Sequence, residues 1–356
     1  MPVQLLSLSR ELLEEIALNL DSSDNYWLAL TCRELSGIAS GRPLYDRVRV
    51  HLGGKSCERL YARLEEVPDL GQRIRHYHIE SDWSLPRPPH IPAMQVVSLT
   101  LAFHLIRRMP NVKLLELPIF AQTGADADLI SDCLRRLTIA PSLRELIVYG
   151  WEDRLSPQSI LPLLVMPNLT GLHLLDFQLQ EMQHWSPTPF TSILSLTLGD
   201  FSRSTVLRVG ATTVSAFRNI FLRFPNVRHL YLLDHCDADP GHILRLLPDS
   251  YPGLRTLNVE NSFDAEGTIE DDEDWLASLP ELDSLTADGY SLGQTSLFHL
   301  SPKATYVDLR NSLRNQVALA YAIQKWTRDP AITQRRRVDM TRHNDALTDS
   351  ILVCPS

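Results

Sequence analysis

Pro167-Asn168-Leu169-Thr170-Gly171-Leu172-His173-Leu174 is the cleanest copy of a phrase that recurs along the chain. Leu172-His173-Leu174 alternates apolar and polar residues, the two-residue period of a half-buried strand, and Pro167 opens it with a turn. The phrase, Pro-x-Leu-x-x-Leu-x-Leu, returns as Pro110 to Leu117, Pro141 to Val148, Pro225 to Leu232, Pro252 to Val259 and Pro280 to Ala287. Pro302 to Leu309 is a weaker copy. Ile74-x-x-Tyr77-x-Ile79 and Ile193-x-x-Leu196-x-Leu198 lack the proline, and Val338-x-Met340 is a marginal last candidate. Starts at 72, 110, 141, 167, 191, 225, 252, 280 and 302 give periods of 38, 31, 26, 24, 34, 27, 28 and 22 residues. Helical stretches are expected at Asp126 to Leu137, Val214 to Phe224, His242 to Leu247 and Asp272 to Leu279. An earlier one, Lys55 to Glu66, places Cys57, Leu60, Tyr61 and Leu64 on one face. No single unit of this length buries its apolar face alone, so the copies must stack around one continuous core.

Helix plus strand at this period resembles the leucine-rich repeat, over most of residues 55 to 312. The resemblance implies an α/β solenoid with a parallel sheet on its concave face. Eight residues after the first leucine the family usually has Asn or Cys, whose side chain bonds neighbouring loops. Here that place holds Phe120, Trp151, Phe177, Phe201 and Tyr290, with His235 and Ser262 in two other copies. Aromatic rings fill volume but cannot satisfy a ladder of amides. An irregular solenoid is therefore expected.

The N-terminal segment has another pattern. Leu8-Ser9-x-Glu11-Leu12-Leu13-x-Glu15-Ile16 runs on to Leu20, and a polar break from Asp21 to Asn25 precedes Tyr26-Trp27-Leu28-Ala29-Leu30-Thr31-Cys32-Arg33-Glu34-Leu35. At about 100° per residue, Leu12, Leu13, Ile16, Ala17 and Leu20 form one apolar arc, with Leu18 opposite it. Ser9 is placed to cap the first helix, Glu11 lies in its first turn, and Asp24 is placed to cap the next. Two or three helices in about 40 residues rarely hold together alone, so the arc must lie partly against the rest of the chain or a partner's groove.

This order of residues resembles the F-box, over roughly the first 45 residues, with Ser9 standing where that family usually has proline. The resemblance implies a Skp-type adaptor as partner and, through it, a cullin. The implied docking residues are Leu8, Ser9, Leu12, Leu13, Ile16, Leu20, Leu28 and Cys32. The solenoid would then hold an unknown protein substrate for ubiquitination. The alternative is a leucine-rich-repeat interaction scaffold not engaged in ubiquitination, whose N-terminal helices only cap the repeats.

These readings divide the chain into a helical module at 1–50, a repeat solenoid at 51–312 and a C-terminal cap at 313–356. Arg42 to Val50 is a proline turn followed by a strand-like segment, with Leu44 and Tyr45 expected to pack on the first repeat. In the cap, Val317, Ala320, Tyr321 and Gln324 share a helix face that Asp329-Pro330 stops. The proline-rich run from Leu85 to Pro92 reads as a surface loop, and Glu270 to Asp274 as a solvated helix start.

Composition narrows the function classes. A net charge of −9 argues against nonspecific nucleic-acid or anionic-lipid partners. No apolar run approaches the ~20 residues needed to cross a bilayer, and the first residues lack a secretory pattern. Five scattered cysteines, never in a Cys-x-x-Cys pair, suit a reducing compartment, hence cytoplasm or nucleus. No phosphate loop, nucleophile elbow or metal-spaced Cys/His set is present, so no enzyme, cofactor or metal is expected. His76 and His78 share a strand face without nearby acidic or thiol ligands in sequence, and Asp234 to Asp239 reads as a post-strand loop.

The residue between the last two leucines of each phrase should point away from the core. Those positions are His78, Glu116, Ile147, His173, Thr197, Tyr231, Asn258, Thr286 and Asp308, and one column over lie Tyr149, Leu175 and Leu233. Apolar and aromatic side chains on a face expected to be solvated suit protein binding. The candidate substrate residues are His78, Ile147, Tyr149, His173, Leu175, Tyr231, Leu233 and Asn258.

Overall fold

The computed structural model describes residues 8–20, 22–39, 45–52, 55–80, 93–118, 141–149, 164–175, 188–199, 211–233, 243–260, 275–288, 296–310, 322–326, 328, 336–342 and 345–353. The expected helix at Asp126 to Leu137, the loops at 85–92 and 234–239, the acidic run 270–274, Leu44, the Leu18 side chain and all seven eighth-position residues lie outside them. The chain forms two compact units, Met1–Val148 with Ser159–Leu169, and Tyr149–Gln158 with Thr170–Ser356.

Each phrase becomes a strand four residues after its start. In chain order the strands are β1 (Arg47–His51), β2 (His76–Glu80), β3 (Leu114–Pro118), β4 (Glu145–Tyr149), β5 (Gly171–Leu175), β6 (Ser195–Gly199), β7 (His229–Leu233), β8 (Thr256–Glu260), β9 (Ser284–Asp288) and β10 (Tyr306–Arg310). β11 (Arg336–Arg342) and β12 (Asp345–Val353) follow. In the first unit β1, β2 and β3 pair in parallel, and the Lys113 carbonyl accepts from both Arg144 and Glu145 to tie in β4. In the second, β5 to β11 pair in parallel, each with the next, and β12 returns antiparallel on β11. Sheet pairing thus begins inside the segment assigned to 1–50 and continues well past 312.

The register explains the leucines. Leu172, Leu196, Leu230, Leu257, Leu285, Val307 and Val338 align across the second unit and all are buried. Two residues on, Leu174, Leu198, Leu232, Val259, Ala287 and Leu309 form a second buried column. At about 25 cal/mol per Å² of apolar surface removed from water, such columns are the main force holding each stack together.

Between strands the chain returns by helices or tight turns. Among the described residues the helices with defined ends are α1 (Arg10–Asn19), α2 (Ser22–Thr31), α3 (Arg33–Ala39), α4 (Ser56–Glu66), α5 (Ala93–Ile106), α6 (Ala211–Arg223) and the single turn α7 (Leu247–Ser250), and residues 322–326 are helical as well. Within α4, Cys57 and Leu64 are buried as its amphipathic face requires. The helix expected to end at Leu279 is absent over its described part. Ser278 and Leu279 each bond the carbonyl three residues back, which makes tight turns, and Pro280 forbids their extension.

A polar ladder stitches successive repeats, at a place the eighth-position residues do not reveal. Asn111 Nδ2 donates to the Gln72 carbonyl at 2.8 Å, Asn168 Nδ2 to Pro141 at 2.7 Å and Asn226 Nδ2 to Thr191 at 2.8 Å. Ser142 Oγ reaches the carbonyls of Pro110 and Val112, and Ser301 Oγ that of Pro280. Apart from Ser301, each donor is the second residue of a phrase, and every acceptor except Val112 is the first residue of the phrase before. Asn226→Ala should cost about 1 kcal/mol in denaturant unfolding, the ordinary worth of one such bond, while Arg218→Ala on exposed α6 surface should cost less than about half of that.

Candidate functional site

The N-terminal helices form a small module with its own core. Ser9 caps α1, its hydroxyl accepting from the Leu12 amide at 3.4 Å, and a backbone hydrogen bond, with the Ser9 hydroxyl second, holds the Glu11 carboxyl below its usual range. Asp24 is not the cap of α2. It lies in the first turn of a helix that already begins at Ser22, where its charge suits the helix N-terminus. Leu13 and Ala17 of α1 are buried with Leu35 and Ile38 of α3, and Leu8, Leu28 and Cys32 pack partly against them.

The single apolar arc read from the sequence is therefore split. Leu13 and Ala17 turn inward because α3 supplies Leu35 and Ile38 for them to meet, and Leu20 is half-buried. On the other side Leu12 is 48 % exposed and Ile16 38 %, while Trp27 and Leu30 of α2 are 64 % and 60 % exposed. Of the eight candidate docking residues, Leu12, Ile16 and Ser9 are presented to solvent, while Leu8, Leu13, Leu28 and Cys32 build or line the module's interior. Sequence reasoning misses Trp27 and Leu30. Helical spacing hides them, since Leu28 and Cys32, one turn apart, take the inward face and leave their neighbours outside. Tyr45, just before β1, is close enough to Arg63 on α4 to raise its pKa, second to Glu66.

On the outer strand face of the first unit the groups are already committed to one another. His78 Nδ1 lies 2.5 Å from the Glu116 carboxylate and His78 Nε2 4.0 Å from Glu80. Glu80 also meets His51 Nδ1 at 3.0 Å and Arg49 at 3.5 Å. Ile147 is half-buried on β4. Among the described residues no group of three or more His, Cys, Asp or Glu side chains is arranged to hold a metal ion. His76 is half-buried, and desolvation lowers its pKa. Burial pushes the Cys57 thiol up to about 11, which removes it as a nucleophile. Iodoacetamide at about pH 8 should leave Cys57 unmodified in the folded chain and label it only in denaturant, as peptide mass spectrometry would record.

The second unit presents a different outer face. Tyr149, His173, Leu175, Tyr231, Leu233 and Asn258 are all half-buried, with outward positions as the alternation requires. Thr197 and Asp308, expected to be solvated, are buried. Thr197 is a short side chain flanked in register by His173 and Tyr231, and its hydroxyl bonds His173 Nδ1 at 2.8 Å. Leu175 and Leu233 flank Gly199 on β6 and lean over it. A Cβ on Gly199 would lie 2.9 Å from Leu175 Cδ2 and 3.0 Å from Leu233 Cβ. Three adjacent strands thereby carry one continuous apolar surface.

Parallel strands in chain order, two buried leucine columns and a side-chain ladder at phrase starts define leucine-rich repeats. No family model matches the chain, and no curated protein matches it. The crystal structure of the leucine-rich repeat-containing protein LegL7 from Legionella pneumophila is similar at 17 % identity with a TM-score of 0.42, covering 83 % of this chain and 91 % of that one. No helix among the described residues is long and apolar enough to cross a membrane.

Proposed function

We propose that the chain is a non-catalytic substrate receptor of a Skp–cullin–F-box ubiquitin ligase. The observation that carries this reading is the exposure of Leu12, Ile16, Trp27 and Leu30 on a module in which Leu13, Ala17, Leu35 and Ile38 already form a core. Large apolar side chains that the fold leaves in water on two neighbouring helices suit a partner's groove. The F-box resemblance of this segment names that partner as a Skp-type adaptor. The repeats then act as the scaffold that holds a target protein, with the outer strand face as the recognition surface. Ubiquitin transfer occurs on the partners. The receptor's contribution is positioning, which raises the effective concentration of target lysines near the charged thioester.

Co-purification tests the reading. The wild-type chain should retain a Skp-type adaptor, and Leu12→Asp with Ile16→Asp should lose it without unfolding, because both side chains are exposed. A wild type that captures no adaptor, or a variant that captures as much, leaves a repeat scaffold outside ubiquitination.

A further inference from the structure

The outer face of β5 to β8 differs in character along the strand direction. At the strand starts Arg228 and Arg255 are both exposed, and they are backbone neighbours, the Arg255 amide donating to the Arg228 carbonyl at 2.8 Å. Neither guanidinium has an ion-pair partner among the described residues. Glu281, whose carboxyl pKa is lowered mainly by Lys303 and less by Arg255, is held by Lys303 at 2.6 Å. His229 follows Arg228 at the start of β7, Nδ1 3.0 Å from the Thr256 hydroxyl, and burial with the two nearby positive charges lowers its pKa. At the other end lies the apolar surface of Leu175, Gly199 and Leu233. His229, Tyr231 and Leu233 alternate outward on one strand, so the two ends are about 13 Å apart, a distance that about five residues of extended peptide span.

We propose that this face binds an extended peptide segment in which aspartate or glutamate residues precede or follow an apolar residue by about four positions. The proposal rests on the receptor reading and names the class of target segment. The carboxylates pair with Arg228 and Arg255, whose planar forks suit bidentate contacts. The apolar side chain rests on Leu175 and Leu233, beside Tyr231. Glu260 sets the orientation. It lies opposite Leu233 in register, its carboxylate taking the Asn258 amide at 3.3 Å, and it repels a second acid at the apolar end. Asp283, which follows Arg255 just before the next strand, has its carboxylate taken by the Thr305 hydroxyl at 2.7 Å. Arg228 and Arg255 make no ion pair among the described residues, so on a chain of net charge −9 their field favours an acidic partner at this place.

Fluorescence anisotropy with the purified full chain tests this. The probe is a fluorescein-labelled peptide with a pair of glutamates, the second of them four positions before a leucine so that three residues intervene, compared with the same peptide carrying glutamines. The acidic peptide should bind saturably, and affinity should fall about tenfold or more for the glutamine peptide, for Arg228→Glu with Arg255→Glu, and for Leu233→Asp. Circular dichroism checks each variant, and Tyr231→Ala replaces Leu233→Asp if that chain fails to fold. Absence of binding by the wild type, equal affinity for the glutamine peptide, or indifference to the charge reversal overturns the proposal. Adaptor capture on the same preparations separates the two ideas. Capture without peptide binding removes the acidic-segment proposal alone, and peptide binding without capture removes the ligase reading alone.

Discussion

Gly71→Ala should destabilise the first unit by about 3 kcal/mol, a large loss for a single methyl group. Gly71 lies in the 3-10 turn Pro68–Gln72 that follows α4, beneath the chain leaving α5. A Cβ there would overlap the Arg108 carbonyl oxygen and sit 3.1 Å from its carbon. Backbone cannot swing aside as a side-chain tip can, and Arg108 is also pinned. Its guanidinium stacks 4.9 Å from the Tyr61 ring centre and pairs with Glu65. Relief therefore requires two repeats to separate. Gly37 provides the opposite sign. It is an exposed position within α3, and a methyl added there would meet nothing within 4 Å, so Gly37→Ala should be neutral or gain up to about 1 kcal/mol of helix propensity. Thermal unfolding followed by circular dichroism compares them, and equal midpoints for the two variants would refute this packing.

Phe221→Ala should cost about 3–5 kcal/mol in the second unit, the range for emptying a large aromatic site. Phe221 is fully buried on α6, its ring 5.8 Å from Phe217 and 5.1 Å from Tyr251, and the Tyr251 hydroxyl reaches the Phe221 carbonyl. Tyr251 belongs to the next repeat, so the cavity would open where consecutive repeats join. Leu222, its neighbour on the same helix, is 63 % exposed, and Leu222→Ala should stay within about 0.5 kcal/mol of wild type. Denaturant melts of both variants test the orientation of α6, and a costly Leu222→Ala beside a harmless Phe221→Ala would reverse it.

Much of the strand framework is legible in the sequence because the phrase carries its own period. Leu172 and Leu174 bracket His173, and the copies from Tyr77 and Ile79 to Val307 and Leu309 place their buried pairs at the same offset, with Val338 buried at the first of those positions. What escapes depends on contacts between repeats. The ladder residues Asn111, Ser142, Asn168 and Asn226 are visible as a recurring Pro-Asn or Pro-Ser pair, yet only stacking shows which carbonyl each one meets. Trp275 to Leu279 has helical spacing, but turns satisfy it as well, because burial of Trp275, Leu276 and Leu279 does not distinguish them. The candidate docking face is half legible. Periodicity on a helix finds an apolar arc, and it takes α3 to show which part of that arc the module keeps for itself. On the outer strand face, burial of Thr197 follows from the size of its cross-strand neighbours, a quantity that register alone supplies.

The receptor account stands on the exposed side chains of Leu12 and Ile16 on α1 and of Trp27 and Leu30 on α2, and direct titration of purified Skp-type adaptor into the purified full chain tests it most closely. The account predicts saturable binding with a Kd of about 1 μM or tighter, near −8 kcal/mol, which Trp27→Asp with Leu30→Asp abolishes while the melting curve is retained. Wild-type protein that shows no binding, or a double variant that binds as tightly as wild type, would contradict it.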